Sequence, residues 1–306
     1  MEFSIVIPCF NRPLLLHRAL MSCVAQSYSN FEVVVIDDGS TDDIKGVVEE
    51  IEDRRIRYFR QKNSGGCVAR NFGISVSKGE WIALLDADDY FVHNKLEVLK
   101  REIAQCEADM YFSRAAIDRG IGSKVNTPGQ QWDGKQHLTE FMFKWYQVIP
   151  TSTFVIRRQL ASRIRFQESL KIGQDIDYII RLFGSGVSMR MIPDVLVVYD
   201  DAGGSERISR GAHGDSLNCW LTQNRSYFSV QGYYSYRASY LSKINARRMK
   251  CATFVDLVNG YNRGGMSLML VIRRGVRAYF PRFYNCLLYT SPSPRDQRGS
   301  RMPSSA

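Results

Sequence analysis

What this 306-residue chain lacks narrows its function before any motif is read. No stretch approaches the roughly 20 uninterrupted apolar residues that a membrane-crossing helix needs. The chain opens on a strand-like run, Phe3 to Ile7, without a basic leader or small-residue cleavage site, so residence in the cytosol is expected. Its seven cysteines, Cys9, Cys23, Cys67, Cys106, Cys219, Cys251 and Cys286, are scattered, odd in number and free of any CxxC pair. That pattern argues against a disulfide framework and suits a reducing compartment, with the thiols acting as packing groups. Four histidines occur, none in an HExxH arrangement, which argues against a histidine-bound catalytic zinc. No internal repeat or heptad is visible, so a solenoid or coiled coil is not expected.

Acidic residues are scarce in one region. Residues 207–285 carry 13 Lys and Arg against two Asp and Glu, whereas residues 1–206 carry 25 against 28. The formal charge of +10 therefore resides mainly in the C-terminal part. Such a surface attracts acidic lipid headgroups, an anionic acceptor or nucleic acid, and charge alone does not choose among them.

What is present is an alternation of compact apolar runs with helix-compatible stretches. Strands are expected at Phe3–Ile7, Phe31–Ile36, Ile56–Phe59 and Trp81–Leu85, and helices at Leu14–Ala25 and Cys67–Val76. Later segments read as a helix (Leu96–Cys106), strands (Asp109–Ile117, Thr151–Ile156, Leu196–Tyr199) and a helix (Ile176–Phe183), with a loop or insertion over Gly120–Gly134. The implied class is α/β, a mostly parallel central sheet flanked by helices, occupying residues 1–206. Residues 207–287 read as a basic helical appendage. The remainder, 288–306, resembles translated cloning or adapter sequence, is expected to be disordered and non-native, and is set aside.

Two successive strands end in paired acids: Phe31–Ile36 runs into Asp37-Asp38-Gly39-Ser40, and Trp81–Leu85 into Asp86-Ala87-Asp88-Asp89. One such cluster is ordinary as a cap or turn. Two in one α/β sheet bring carboxylates to one crevice, where repulsion calls for a cation or donor groups.

These turns, together with Ile5-Val-Ile-Pro-Cys-Phe-Asn-Arg12, Asn63-Ser-Gly-Gly66 and Ala69-Arg-Asn-Phe-Gly73, resemble the ordered motifs of the inverting family 2 glycosyltransferases of the GT-A fold, of the kind found in bacterial surface-polysaccharide synthesis. The resemblance implies a hexosyltransferase that uses a nucleotide-sugar donor, UDP-sugars favoured, with Mg²⁺ or Mn²⁺, and a glycan or lipid-linked acceptor. By it, Pro8, Phe10 and Arg12 border the nucleotide and Asp38 accepts a hydrogen bond from the base. Pro8 is equally a strand terminator and Phe10 ordinary packing. Asp86-Ala87-Asp88 resembles the DxD motif, with Asp88 the first choice as metal ligand and Asp86 at the ribose or the metal. Hard cations suit such oxygen ligands. Asp89 is open to capping the next helix. Arg70 supplies positive potential or anchors the acids, while Asn71 is open to fixing the sheet edge.

The resemblance places the general base at Asp175, with Asp177 as competitor. Gln174 stands where the family usually carries Glu, which removes one like charge. A helix cap is the plain alternative for Asp175. Nucleotidyl transfer and non-catalytic nucleotide-sugar binding remain rival functions. Basic Arg247-Arg248, Lys250 and Arg273-Arg274 lack any zinc-finger, homeodomain or RNP pattern, so nucleic acid is not expected. An anionic membrane surface at the inner face of the plasma membrane is, with Tyr233-Tyr234 and Tyr279-Phe280 at the interface; packing of those rings against the catalytic part is the alternative.

Overall fold

A computed structural model describes residues 1–120, 122, 124–201, 214–246 and 250–280. The expected boundary at 206/207, the Arg247-Arg248 pair and the 288–306 tail lie outside the described residues. Strands β1 (Phe3–Cys9), β2 (Phe31–Asp37), β3 (Ile56–Arg60) and β4 (Trp81–Leu84) form the sheet half 3-2-1-4, with every neighbour parallel. All four therefore end at one edge. Helices α1 (Pro13–Val24), α2 (Ile44–Glu50) and α3 (Gly66–Val76) connect them. α1 begins with Pro13, whose missing N–H is harmless there, and buries Leu16, Ala19, Leu20 and Cys23 at helical spacing.

Beyond β4 the sheet becomes mixed. It continues through β8 (Phe154–Arg157), β6 (Met110–Asp118), β9 (Met189–Asp200) and β5 (Tyr90–Phe91), with β7 (Lys124–Thr127) on β6. β8 is antiparallel to β4 and β6, while β6 and β9 are parallel. The Gly120–Gly134 stretch, read as a loop, contains β7, a strand with three of its four residues exposed and hence without an apolar pattern to find. α4 (Lys95–Gln105), α5 (Leu138–Lys144), α6 (Arg158–Arg163) and α7 (Gln174–Gly184) complete this part.

β1, β2 and β4 are buried on both faces, which is why they read as largely apolar runs. Phe3, Ile5, Ile7, Val33 and Val35 face one side with Leu16, Leu20 and Leu96. Val6, Val34, Ile36, Ile82 and Leu84 face the other with Ile74, Tyr178, Ile179 and Leu182. Helices α8 (Gly214–Gln223), α9 (Val230–Tyr236) with its π-helical extension (Arg237–Leu241), α10 (Ser242–Asn245), α11 (Lys250–Asn262) and α12 (Leu268–Tyr279) follow. They pack on the sheet-bearing part. Trp220, Leu221, Phe228, Tyr236 and Leu241 join the second core, with Phe143 of α5 stacked on Phe228 at 5.8 Å and edge-on to Tyr236 at 4.9 Å. α9 sits so close to α5 that a Cβ on Gly232 would lie 2.1 Å from Thr139 Oγ1. A larger residue at 232 would force the two helices apart.

Candidate active site

The shared strand edge carries both acidic turns, and Asp38 and Asp88 open from it together. After β1 the chain enters Phe10, half exposed at 46%, and Asn11, whose φ of 50° is the left-handed conformation that asparagine tolerates. Asn11 Oδ1 accepts hydrogen bonds from Thr41 N (2.8 Å) and Thr41 Oγ1 (3.2 Å), and Asn11 N donates to Ser40 Oγ (3.0 Å). These bonds lock the β1 loop to the β2 loop. Pro8 lies in register with Ile36 one residue earlier, and Asp38 N donates to Cys9 O (2.8 Å).

The first acidic pair is consumed internally. Asp37 accepts from Ser40 N (2.8 Å) and Tyr58 Oη (2.7 Å) and faces Arg60 at 3.5 Å. Burial alone would raise its carboxyl, but the donors of Ser40 and Tyr58 outweigh that and hold it below the ordinary range. Asp38 accepts from Gln61 Nε2 (2.7 Å), Ser64 N (2.8 Å) and Gly65 N (2.8 Å). Both its oxygens thus hold the Asn63-Ser-Gly-Gly66 loop. Gly39 completes the fit, because a Cβ there would meet Asn63 N at 2.6 Å.

The second turn stays open. Asp86 and Asp88 are part-exposed, with side chains 27% and 29% accessible. Ala87 between them is buried. Ser152, for which the sequence offered no signal, donates to Asp89 and receives Asp86 N at 3.0 Å. Asp89 also accepts from Asp200 N (3.0 Å) and is buried. It therefore ties the turn to β9; the following helix is capped by Asn94 instead, with no side-chain bond. Below lies Lys95, fully buried, donating to Ser152 O at 2.8 Å; burial pulls its ammonium down to about 7. Burial first and Asp86 second push the Asp88 carboxyl above the usual range, against Arg12. Arg12 pairs with Asp88, and Arg18 bonds to Asp88 O while pairing with Asp200 at 2.8 Å.

The carboxylate oxygens of Asp86, Asp88 and Asp89 lie within 4.8 Å of one another. An all-oxygen donor set under mutual repulsion suits Mg²⁺ or Mn²⁺, and Asp86 and Asp88 are its accessible members.

Arg70 joins this turn to α7. Its guanidinium, nearly buried, reaches Asp86 Oδ1 at 2.5 Å with Nη2 and Gln174 Oε1 at 2.7 Å with Nη1. Gln174 also donates Nε2 to Leu170 O at 2.9 Å, a bond that glutamate would lack. Next to it, Asp175 occupies the first turn of α7 behind Gly173 as N-cap, so it is not the cap. Burial first, then Asp86, raises its carboxyl, opposed by Arg70. Asp177, the competing base, is placed elsewhere. It is 1% exposed, paired with Arg181 at 2.6 Å and bonded to Trp220 Nε1 at 2.9 Å. Both its carboxylate oxygens are therefore engaged inside the core. Asn71 holds the loop beyond α6, exchanging bonds with Phe166 N and O at 2.9 Å each.

The aromatic residues expected at an interface are mostly packed. Tyr233 lies beneath Arg225 at 4.4 Å, Tyr234 bonds to Arg263 at 2.7 Å and Tyr279 donates to Lys250 O at 2.7 Å. Phe280 is exposed, as are Phe254, Val255 and Tyr261 of α11 and Leu268, Met269 and Ile272 of α12. No described helix is long and apolar enough to cross a membrane.

Against known proteins, the sequence profile of Glycosyl transferase family 2 matches residues 4–165. The chain is similar to an uncharacterized glycosyltransferase of Rickettsia bellii, 48% identical over 119 residues, which are 39% of this chain and 17% of that protein. It is also similar to the amylovoran biosynthesis glycosyltransferase AmsB of Erwinia amylovora, 29% identical over 78% of this chain and 82% of that one. Two rickettsial relatives besides are matched over 27% of their length, so the chain spans only a minor part of these three rickettsial proteins. Among solved structures, S. aureus TarS 1-349 in complex with UDP-GlcNAc superposes with a TM-score of 0.68 at 17% identity, covering 98% of this chain and 93% of that one. The mannosyltransferase PcManGT of Pyrobaculum calidifontis, in complex with GDP-Man and Mn²⁺, gives 0.56 at 15% identity, covering 94% and 84%. At such identities the likeness is one of fold.

Proposed function

This chain belongs to glycosyl transferase family 2, and we propose that it transfers a hexose, with inversion, from a nucleoside-diphosphate sugar, a UDP-sugar favoured, to a hydroxyl of a glycan or lipid-linked acceptor. The observation that carries the reading is Arg70, which joins Asp86 of the second acidic turn to Gln174 beside Asp175. This contact supports a reading in which a metal-type carboxylate pair and the proton acceptor share one crevice.

Pro8 and Phe10 border the nucleotide side, on loops held rigid by Asn11 and Asp38. Asp86 and Asp88 would hold Mg²⁺ or Mn²⁺, which, when bound, neutralises charge on the departing diphosphate. Arg12, paired with Asp88 beside this turn, would add positive charge on the phosphate side of the donor. Asp175 takes the proton of the acceptor hydroxyl, whose oxygen bonds to the anomeric carbon as the bond to diphosphate breaks on the opposite face. The raised carboxyl of Asp175 brings its basicity closer to that task. Gln174 keeps Arg70 in place through its amide oxygen, so the missing acid is replaced as an acceptor although not as a charge.

The test is product analysis with donor, Mn²⁺ and a panel of acceptors. Release of nucleoside diphosphate, with Asp175→Asn binding donor normally but transferring about 10²-fold more slowly or worse, is expected. Pyrophosphate release would establish nucleotidyl transfer instead, and donor binding without turnover across the panel would leave a binding module. Full activity in Asp175→Asn would remove the base assignment.

A second reading concerns location. The exposed apolar residues of α11 and α12 stand in the part of the chain with 13 basic residues against two acidic ones, which supports reversible seating on an anionic membrane at the cytoplasmic face. Co-sedimentation with anionic and neutral vesicles at two salt concentrations tests it. Selective binding to the anionic vesicles, weakened by Met269→Glu, is expected; equal, negligible binding to both rejects it.

A further inference from the structure

Arg274 of α12 is 6% exposed, yet it has no carboxylate partner among the described residues, and its Nε has no hydrogen-bond partner there. Its guanidinium lies over the ring of Tyr146 at 3.6 Å. After burial, the groups that act on its charge are the phenols of Tyr146 and Tyr240 and a second cation, Arg277. Burying a guanidinium without a counter-ion, beside another cation, is unfavourable by several kcal/mol in general. Burial raises the Tyr146 phenol, but Arg274 and then Arg277 outweigh it and leave the phenol below its ordinary value, the response of a site with surplus positive charge. Tyr146 is also held at φ 54°, a conformation costly for an aromatic residue and concentrated at functional positions.

This cluster adjoins the crevice. Tyr240 lies 5.8 Å from Tyr146 and stacks on Tyr236 at 5.2 Å; burial raises the phenols of Tyr236 and Tyr240, and the Asp175 carboxylate is near enough to add to that. Tyr146, Tyr240 and Arg277 are each only part-buried, so the cluster has an approach from solvent.

We propose that Arg274 and Arg277 form an anion subsite at the acceptor end of the crevice, which receives a phosphate or carboxylate carried by the acceptor while Asp175 meets its hydroxyl. The substrate class is therefore an anionic glycan or phosphate-linked acceptor. This rests on the glycosyl-transfer reading for the word acceptor, whereas the anion site itself does not.

The test titrates inorganic phosphate and, separately, glucuronate against the full chain at constant ionic strength, with UDP and Mn²⁺ saturating the donor side, and is repeated without them. Binding of one anion in the millimolar range is expected, and its identity separates a phosphate from a carboxylate acceptor. Arg274→Gln and Arg277→Gln should each weaken that binding by at least about tenfold while UDP affinity stays within about threefold. Arg277 is part-buried, so its variant keeps the test decisive if Arg274→Gln fails to fold. Absence of binding of either anion to the wild type, or wild-type anion affinity in Arg277→Gln, overturns the subsite. Failure of UDP to bind, with anion binding intact, would count against the donor reading alone.

Discussion

The two acidic turns look alike in sequence and differ in what surrounds them. Asp37 and Asp38 meet backbone amides, Tyr58, Arg60 and Gln61, and are buried. Asp86 and Asp88 meet the guanidinium groups of Arg70 and Arg12, and remain part-exposed. A carboxylate answered by backbone amides holds its loop in shape, because losing it would leave those donors unpaired. One answered by an exchangeable cation can pass to a metal and phosphates. The difference teaches that paired acids at strand ends mark a crevice without saying which pair does its chemistry.

The comparison is broken most severely by Asp88→Asn. Turnover with Mn²⁺ should fall by about 10²-fold or more, while the part-exposed position keeps the loss of unfolding free energy within about 1 kcal/mol. Asp37→Asn should do the reverse, destabilising the fold by about 2 kcal/mol because an amide N–H faces donors, as read by denaturant unfolding. Equal stability losses in the two variants would show that the turns do not differ in this way.

Lys95 sharpens the contrast, since it lies beneath only the second turn. Its folded pKa of about 7 lies below its ordinary value of 10.5. Between those values the unfolded chain holds a proton the folded chain does not, so stability rises with pH across that window and is lowest below it. Wild type should gain on the order of 2 kcal/mol from pH 7 to pH 10 in unfolding experiments, and Lys95→Met should flatten that slope. Parallel profiles would contradict the buried ammonium.

The smallest expected effect is at Gln174. Glutamate there keeps the bond to Arg70 but turns an acceptor toward Leu170 O, where Gln174 Nε2 now donates. Gln174→Glu should lower stability by about 1 kcal/mol and leave transfer within about threefold of wild type. A large gain in rate would mean that the amide is a catalytic defect.

Much of this was legible. The parallel half of the sheet showed itself because both faces of β1, β2 and β4 are covered, leaving runs such as Val33–Ile36 without polar interruption. β7 and the short β5 carry no such run and stayed hidden. The acids were found and their uses only partly, since Ser152 lies 66 residues from Asp86 and nothing in its neighbourhood announces the contact. The C-terminal aromatics were visible as a set, but their burial against Phe143 was not.

By itself, then, the sequence determined the strand–helix alternation, the two acidic turns and the positive charge of the last helices, because each is written in local order and composition. Tertiary structure alone decided how the two aspartates of α7 are turned. Residues two apart on a helix point roughly 200° apart, so Asp175 and Asp177 cannot share a side. Burial of Tyr178, Ile179 and Leu182 against the sheet sets the rotation of that helix, turning Asp177 inward to Arg181 and Trp220 and leaving Asp175 beside Arg70's partner.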